Sequence, residues 1–287
     1  MYPSSELIIN PDGSAFHLHL RPEQLASKVI LVGDPDRVNL VARHLDTTEC
    51  DVQSREFHTI TGTYHGKRLS CISTGIGCDN IDIVVNELDT LTNIDFQTRE
   101  DRTPLRQLEL VRLGTCGGLQ TNVPCGTFIA SAKSIGFDGL LNFYAGRNEV
   151  CDLAFEDAFC RHMHWNAQLC APYVIDADPE LLRRIAGTEM VQGVTIACGG
   201  FYGPQGRRLR IPLADPDQNA KVQNFEYQGW KITNFEMESS ALAGLSRLLG
   251  HKAMTCCMVI ANRVAHEANT GYKGTIDNLI QLVLDRI

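Results

Sequence analysis

The sequence has no apolar run approaching the roughly 20 residues that a membrane-spanning helix needs, so no helical membrane span is expected. Basic residues are in deficit, with 26 Lys and Arg against 34 Asp and Glu, a formal net charge of −8. General binding to nucleic acid or to an anionic membrane needs a basic surface, so neither is expected as a partner. An anionic substrate must instead be held by a few placed arginines. The eleven cysteines form no CxxC pair and no Cys/His cluster at zinc spacing. Several lie inside apolar runs such as Met254-Thr255-Cys256-Cys257-Met258-Val259-Ile260, which reads as buried, reduced thiols in a cytosolic protein. His162-Met163-His164 reads as the polar face of a helix rather than as a metal site. The leading MYPSSELIINPDGS carries no charged-then-apolar signal pattern, and a cytoplasmic location is expected. No Gly/Ser-rich linker and no repeat divides the chain, so residues 1–287 are expected to form one domain.

What the sequence does contain is an alternation of buried strands and amphipathic helices. Leu108-Glu109-Leu110-Val111-Arg112-Leu113 reads as an apolar strand that breaks into a turn at Gly114-Thr115-Cys116-Gly117-Gly118. Glycine removes the Cβ obstacle to a ligand, and in open α/β sheets ligands gather outside the carboxyl ends of strands. Arg112, just before this turn, could hold a phosphate or carboxylate through its forked guanidinium. Lys28 to Val32 is a second strand, stopped by Gly33-Asp34-Pro35-Asp36-Arg37, where Pro35 and its acidic neighbours fit a helix start. Val38, Val41, Ala42 and Leu45 follow at helical spacing, making half a βαβ unit and a second anion-pocket candidate. Thr59 to Tyr64 and Arg68 to Ser73 flank His65-Gly66-Lys67 as a hairpin. Asp79 is predicted to cap a helix whose Ile81, Val84, Val85, Leu88 and Leu91 share one face.

Residues 95–106 read as an exposed connection, and 208–227 as a polar surface loop or flap. Further strands are predicted at 126–132, Met190 to Cys198 and Ala253 to Ala261. Helices are predicted at 152–170, after Asp178-Pro179-Glu180, from Asn234-Phe235-Glu236-Met237-Glu238-Ser239-Ser240 onward, and at the end of the chain. This is the pattern of one α/β domain.

Three groups of residues could carry chemistry. Arg37, Arg55 and Arg112 each lie beside a strand-end or turn signal and could converge on one anion. Hydrogen bonds to charged groups contribute roughly 1.5–3 kcal/mol each, enough for three arginines to localise a phosphate. Alternatively, each pairs with a surface carboxylate. Glu236 and Glu238, two apart around Met237 at a helix start, are the second group. The alternative is that they complement a helix N-terminus. Gln205 and Arg207 follow a Gly/aromatic turn, and an amide beside a guanidinium suits a planar ring with adjacent N–H and C=O groups, such as uracil. The alternative is a solvated loop. No Ser/His/Asp or Cys/His nucleophilic set stands out.

These stretches, taken in order, resemble the motif set of the nucleoside phosphorylase-I family. The motifs are Val32-Gly33-Asp34-Pro35-Asp36-Arg37, Ser54-Arg55-Glu56-Phe57, Ser73-Thr74-Gly75-Ile76-Gly77, Val111 to Gly118 and Asn234 to Ser240. Phe201-Tyr202-Gly203-Pro204-Gln205-Gly206-Arg207 narrows the resemblance to the uridine phosphorylase branch. It spans Phe16 to about Arg263, nearly the whole chain.

The resemblance implies a three-layer α/β/α fold with a central mixed, partly barrel-like sheet. It also implies a pentosyltransferase that interconverts uridine and phosphate with uracil and ribose 1-phosphate in pyrimidine salvage. On this basis Gly33, Arg37, Arg112 and Thr115 bind phosphate, with Arg55 supplied by a neighbouring subunit. His17 crosses a dimer interface to the ribose, and Met237 and Glu238 contact the sugar. Phe201, Gln205, Arg207 and Glu236 form the uracil pocket, with Ile260 as an apolar wall. Arg112, Gln205, Arg207 and Glu238 are the expected catalytic residues.

No cofactor is implied beyond phosphate as co-substrate. Some relatives hold a monovalent cation near the positions of Glu56, Ile76 and a serine; Asn80 replaces the serine here, leaving the cation open. A homo-oligomer is implied, whether dimer or hexamer. Purine phosphorylases of this fold carry a base-protonating aspartate where this chain has Asn262-Arg263, which fits a pyrimidine better. The rival readings are a purine nucleoside phosphorylase, a nucleosidase that uses water, and a non-catalytic nucleoside-binding subunit.

Overall fold

The strand Lys28–Val32 buries both of its faces. Val29 and Leu31 enter one apolar cluster, and Ile30 and Val32 enter another on the opposite side. A near-continuous apolar run of this kind needs layers on both sides of its sheet. The computed structural model, which describes residues 1–287 apart from the side chain of Lys273, supplies them.

The strands of the first half are β1 (Lys28–Val32), β2 (Thr47–Ser54), β3 (Phe57–Tyr64), β4 (Lys67–Ser73), β5 (Ile94–Asp95), β6 (Glu100–Asp101) and β7 (Glu109–Gly118). Those of the second half are β8 (Phe128–Gly136), β9 (Tyr173–Asp176), β10 (Met190–Ala197), β11 (Glu226–Tyr227), β12 (Trp230–Glu236), β13 (Lys252–Asn262) and β14 (Glu267–Ala268). The helices are α1 (Pro35–Ala42), α2 (Cys78–Asn93), α3 (Arg147–Val150), α4 (Leu153–Met163), α5 (Pro179–Ala186), α6 (Gln218–Asn224), α7 (Ser239–Leu248) and α8 (Ile276–Arg286). One sheet runs β11-β12-β10-β8-β13-β7-β1-β4-β3-β2. Its pairings are mixed, parallel at β1–β4, β1–β7 and β7–β13, antiparallel at β2–β3 and β3–β4. Helices α2 and α7 cover one face, and α1, α5 and α8 cover the other.

The barrel-like part arises because β12 returns to pair with β7, Asn234 opposite Gly118 and Phe235 opposite Gly117. That contact closes β7, β13, β8, β10 and β12 into a ring around Cys116, Ile129, Cys257 and Val259. It also corrects the turn expected at Gly114 to Gly118. These residues are strand, because each has a partner on β13 and the last two pair with β12 as well. Here glycine serves close approach between backbones: a Cβ on Gly118 would lie 2.8 Å from the Val123 carbonyl oxygen.

Local signals at helix starts hold where a side chain can reach the backbone. Asp34 accepts from the Asp36 N–H with Pro35 at the first helical position, and Asp178 accepts from Glu180 and Leu181 with Pro179 next. Asp79 does not cap α2; Gly77, at φ 103°, takes that position and Asp79 lies in the first turn. The apolar face Ile81, Val84, Val85, Leu88 and Leu91 is buried as its spacing requires. The helix expected over 152–170 ends at Met163, where His164 turns left-handed at φ 48°. Residues 208–227 are not all loop, since α6 and β11 lie within them. Asn234 to Glu236 belong to a strand, and α7 starts only at Ser239.

Candidate active site

The sheet gathers its chemically active side chains along one edge of the ring. The end of β1 presents Gly33, and α1 follows at once with Arg37. β7 contributes Arg112 and Thr115, the β12–α7 junction Glu236, Met237 and Glu238, and β13 Ile260. The turn after β10 adds Phe201, Gln205 and Arg207. All of these line one cleft of about 690 Å³.

Arg112 is the centre of its floor, buried to 4 % exposure. Its Nη2 donates to Glu238 Oε2, and its Nη1 lies 3.4 Å from Glu236 Oε2. Burial alone would lower the guanidinium's pKa, but the two carboxylates outweigh it and hold Arg112 charged. Both glutamates therefore face Arg112, Glu236 from the end of a strand and Glu238 from the position immediately before a helix. Glu236 also accepts from the N–H groups of Glu238 and Ser239 at 2.9 and 3.0 Å, so it complements the start of α7. Burial pushes its carboxyl up to about 7, against the opposing pull of Arg112. Glu238 holds the Gly77 N–H at 2.8 Å with its other oxygen.

Arg37 stands differently. It is buried, its Nη1 donates to the Leu113 carbonyl at 3.1 Å, and among the described residues no carboxylate lies within ion-pair distance. Burial, and then the neighbouring Arg112, press its pKa downward. A buried guanidinium with spare donors and no counter-charge is a site for an anion.

At the opposite end Gln205 is buried, and its Oε1 accepts from Arg207 Nη1 at 2.5 Å and from Arg263 Nη2 at 3.2 Å. Guanidinium groups only donate, so these two bonds fix which end of the amide faces them and leave its NH₂ as a donor for the cleft. Arg207 stacks 3.7 Å over the Phe201 ring, and Arg263 lies 5.1 Å over Phe235. Burial lowers the pKa of both, that of Arg263 to about 10. Among the described residues neither has a carboxylate partner, so this end favours negative charge. Sequence reasoning did not assign Arg263 to the pocket. Its signal was the position directly after β13, but only the fold brings it to Gln205.

Arg55 and His17 do not line the cleft, so within one chain the three arginines do not converge. The two residues share a separate surface around Phe16. Arg55, left-handed at φ 55°, lies 5.9 Å over that ring, and the His17 ring is 4.7 Å from it. His17 Nδ1 contacts Glu87 Oε1 at 2.6 Å. Asn262 is removed from the chemistry: its Nδ2 donates to Gln120 O and Val123 O, and its Oδ1 accepts from Val264 N and Ala265 N. Near Glu56 and Ile76, Asn80 directs its Nδ2 at Glu56 Oε1 at 3.4 Å. No cation is assigned there. Among the described residues no group of three or more His, Cys, Asp or Glu side chains could hold a metal ion.

Comparison with known proteins follows the same lines. The family model described as the phosphorylase superfamily matches residues 27–283. A uridine phosphorylase of Thermococcus kodakarensis is 28% identical over 275 residues, covering 93% of this chain and 84% of that protein. A DeoD-type purine nucleoside phosphorylase of Bacillus velezensis is 26% identical over 274 residues, covering 94% and 98%. Among solved structures, a Trypanosoma brucei nucleoside phosphorylase described as showing uridine phosphorylase activity superposes with a TM-score of 0.85 at 27% identity. That match covers 98% of this chain and 99% of the other.

Proposed function

The chain belongs to the phosphorylase superfamily, and from that membership we propose that it is a uridine phosphorylase, a pentosyltransferase cleaving uridine with inorganic phosphate. The observation that carries this reading is the base end of the cleft, where Arg207 and Arg263 converge on Gln205 without a carboxylate. Uracil leaves with negative charge on its oxygens and offers adjacent C=O and N–H groups. Donors aimed at charge that grows in the transition state are the effective kind. Asn262, with its amide committed to four backbone groups, offers a purine base no acid.

In this reading phosphate sits against Arg37, Gly33 and Thr115, with Arg112 between it and the ribose. Glu238 takes the sugar hydroxyls, beside Met237. Phe201, Gln205, Arg207, Glu236 and Ile260 enclose the base. As the C1′–N1 bond breaks, its electron pair leaves on uracil and a phosphate oxygen closes on C1′. Proximity of the three parts supplies much of the remaining advantage. No side-chain nucleophile and no cofactor is required. Arg55 and His17 serve the cleft of a neighbouring subunit in a homo-oligomer. The continuous sheet supports reading residues 1–287 as one domain, and the soluble chemistry of the substrates suits the cytoplasm.

The experiment is release of free base from uridine with and without inorganic phosphate, with inosine in parallel. Uracil released only with phosphate, and little hypoxanthine from inosine, is the expected result. Preference for inosine would move the protein to the purine enzymes, and release without phosphate would make it a hydrolase.

A further inference from the structure

The segment after β13 folds back over the cleft. Glu267 and Ala268 of β14 pair antiparallel with Asn262 and Ala261, and the Asn269 N–H donates to the Ile260 carbonyl at 2.7 Å. The reversal ends in the helical turn Tyr272–Gly274, just ahead of α8. This path delivers the Tyr272 ring to the Arg37 end of the cleft.

Behind that ring lies a second hollow of about 280 Å³, bounded on its outer side by Asp36, Asn39 and Leu40 of α1 and by Arg43 just beyond it. Asp34, Arg37 and Tyr272 line both spaces. Arg37 is tied to the Leu113 carbonyl and Asp34 to the start of α1. Among the described residues the Tyr272 side chain has no hydrogen-bond partner, and its half-buried ring packs against the apolar cluster of α1, α5 and α8. It is therefore the removable part of the wall between the cleft and the outer hollow.

We propose that Tyr272 is a positioning residue that seals the phosphate end of the cleft, confining phosphate against Arg37 and keeping water in the outer hollow from C1′. The inference rests on the phosphorolysis reading and adds the question of which nucleophile reaches the sugar. In phosphorolysis a phosphate oxygen supplies the pair that forms the new bond to C1′, while the C1′–N1 pair departs on uracil. In the competing leak a water oxygen forms that bond, its proton passes to the uracil anion, and free ribose results. A cation-like sugar does not discriminate strongly between these oxygens, so exclusion of water must be structural. A closed wall also strengthens the attraction between Arg37 and phosphate by lowering the local dielectric.

The test compares Tyr272→Ala, Tyr272→Phe and the parent by uracil release, by free ribose against ribose 1-phosphate, and by KM for each substrate. Tyr272→Ala is expected to raise the KM for phosphate by about tenfold or more, to leave that for uridine nearly unchanged, and to release free ribose. Tyr272→Phe keeps the wall and should keep product as ribose 1-phosphate. Asn39→Trp added to Tyr272→Ala refills the outer hollow from an exposed helix position and should suppress the free ribose. Should the alanine variant not fold, Tyr272→Leu keeps an apolar anchor and carries the same expectation. A folded variant with parental phosphate KM and no free ribose, or with both KM values raised alike, overturns the proposal. A parent that releases uracil without phosphate overturns the phosphorolysis reading instead, so the two failures are distinct.

Discussion

Arg263 Nη2 and Gln205 Oε1 are 3.2 Å apart, and that contact orients an amide that Arg207 alone would leave free to pivot. The consequence is a division of labour at the base end. In the proposed reaction Arg207 would act directly on the departing uracil, whereas Arg263 would keep the Gln205 NH₂ facing it.

Removing Arg207 should therefore cost about 10²–10³ in kcat, the usual loss for a donor aimed at developing negative charge. Arg263→Ala should lower kcat/KM for uridine while leaving the KM for phosphate at its parental value. Steady-state kinetics with each substrate varied separately check both. Arg207→Ala with near-normal turnover would remove that residue from the mechanism.

Arg37 and Arg112 should separate in stability as clearly as they do in surroundings. Arg112→Met strands Glu236 and Glu238 as buried carboxylates, and losing one partner of a buried ion pair costs about 3–5 kcal/mol. Arg37→Met abandons only one backbone carbonyl and relieves a repulsion with Arg112. Its stability should equal or exceed that of the parent, while phosphate affinity collapses. Urea unfolding, with phosphate titration of the folded variants, distinguishes the two; a strongly destabilised Arg37→Met would refute the unpaired-charge account.

This contrast also marks what could be seen in advance. Val29 to Val32 and the face Ile81 to Leu91 were legible because burial marks local sequence, as an unbroken apolar run in a strand covered on both faces and as helical spacing in a helix covered on one. Residues such as Gly33, Arg37 and Arg112 could be flagged because a strand end followed by glycine is a local pattern. Gly114 to Gly118 misled for the same reason, since glycine required by β12 closing on β7 looks identical to glycine required by a turn. The strand β2 escaped notice because TTECDVQS is an edge with few buried side chains. Arg263 had only its place directly after β13 as a signal, and Tyr272 depends on how the segment after β13 folds back, which nothing in its own neighbourhood announces.

Glu236 gives the protein a pH dependence whose sign can be worked out. Burial raises its folded pKa from the ordinary 4.5 to about 7, so between these values the folded state binds the extra proton. The resulting stabilisation is fully present below about 4.5 and is lost as pH climbs through about 7. Glu236→Gln cannot titrate there. The melting temperature of the parent relative to that variant should fall steadily across this window, and a constant difference would show that Glu236 is already ionised at its lower edge.

The placement of Arg55 and His17 yields a prediction about assembly. Both lie around Phe16, outside the cleft of their own chain, whereas Arg37 lies inside it. If each cleft takes Arg55 from a neighbour, Arg55→Ala and Arg37→Ala subunits fail for complementary reasons. A mixed oligomer then contains clefts in which an Arg55→Ala chain supplies Arg37 and receives Arg55 from an Arg37→Ala partner. Mixing the two inactive proteins under conditions of subunit exchange should restore phosphate-dependent uracil release, at most to a fraction of the parental rate. Two Arg37→Ala preparations mixed together should stay inactive. Absence of recovery despite demonstrated exchange would place Arg55 outside the site altogether.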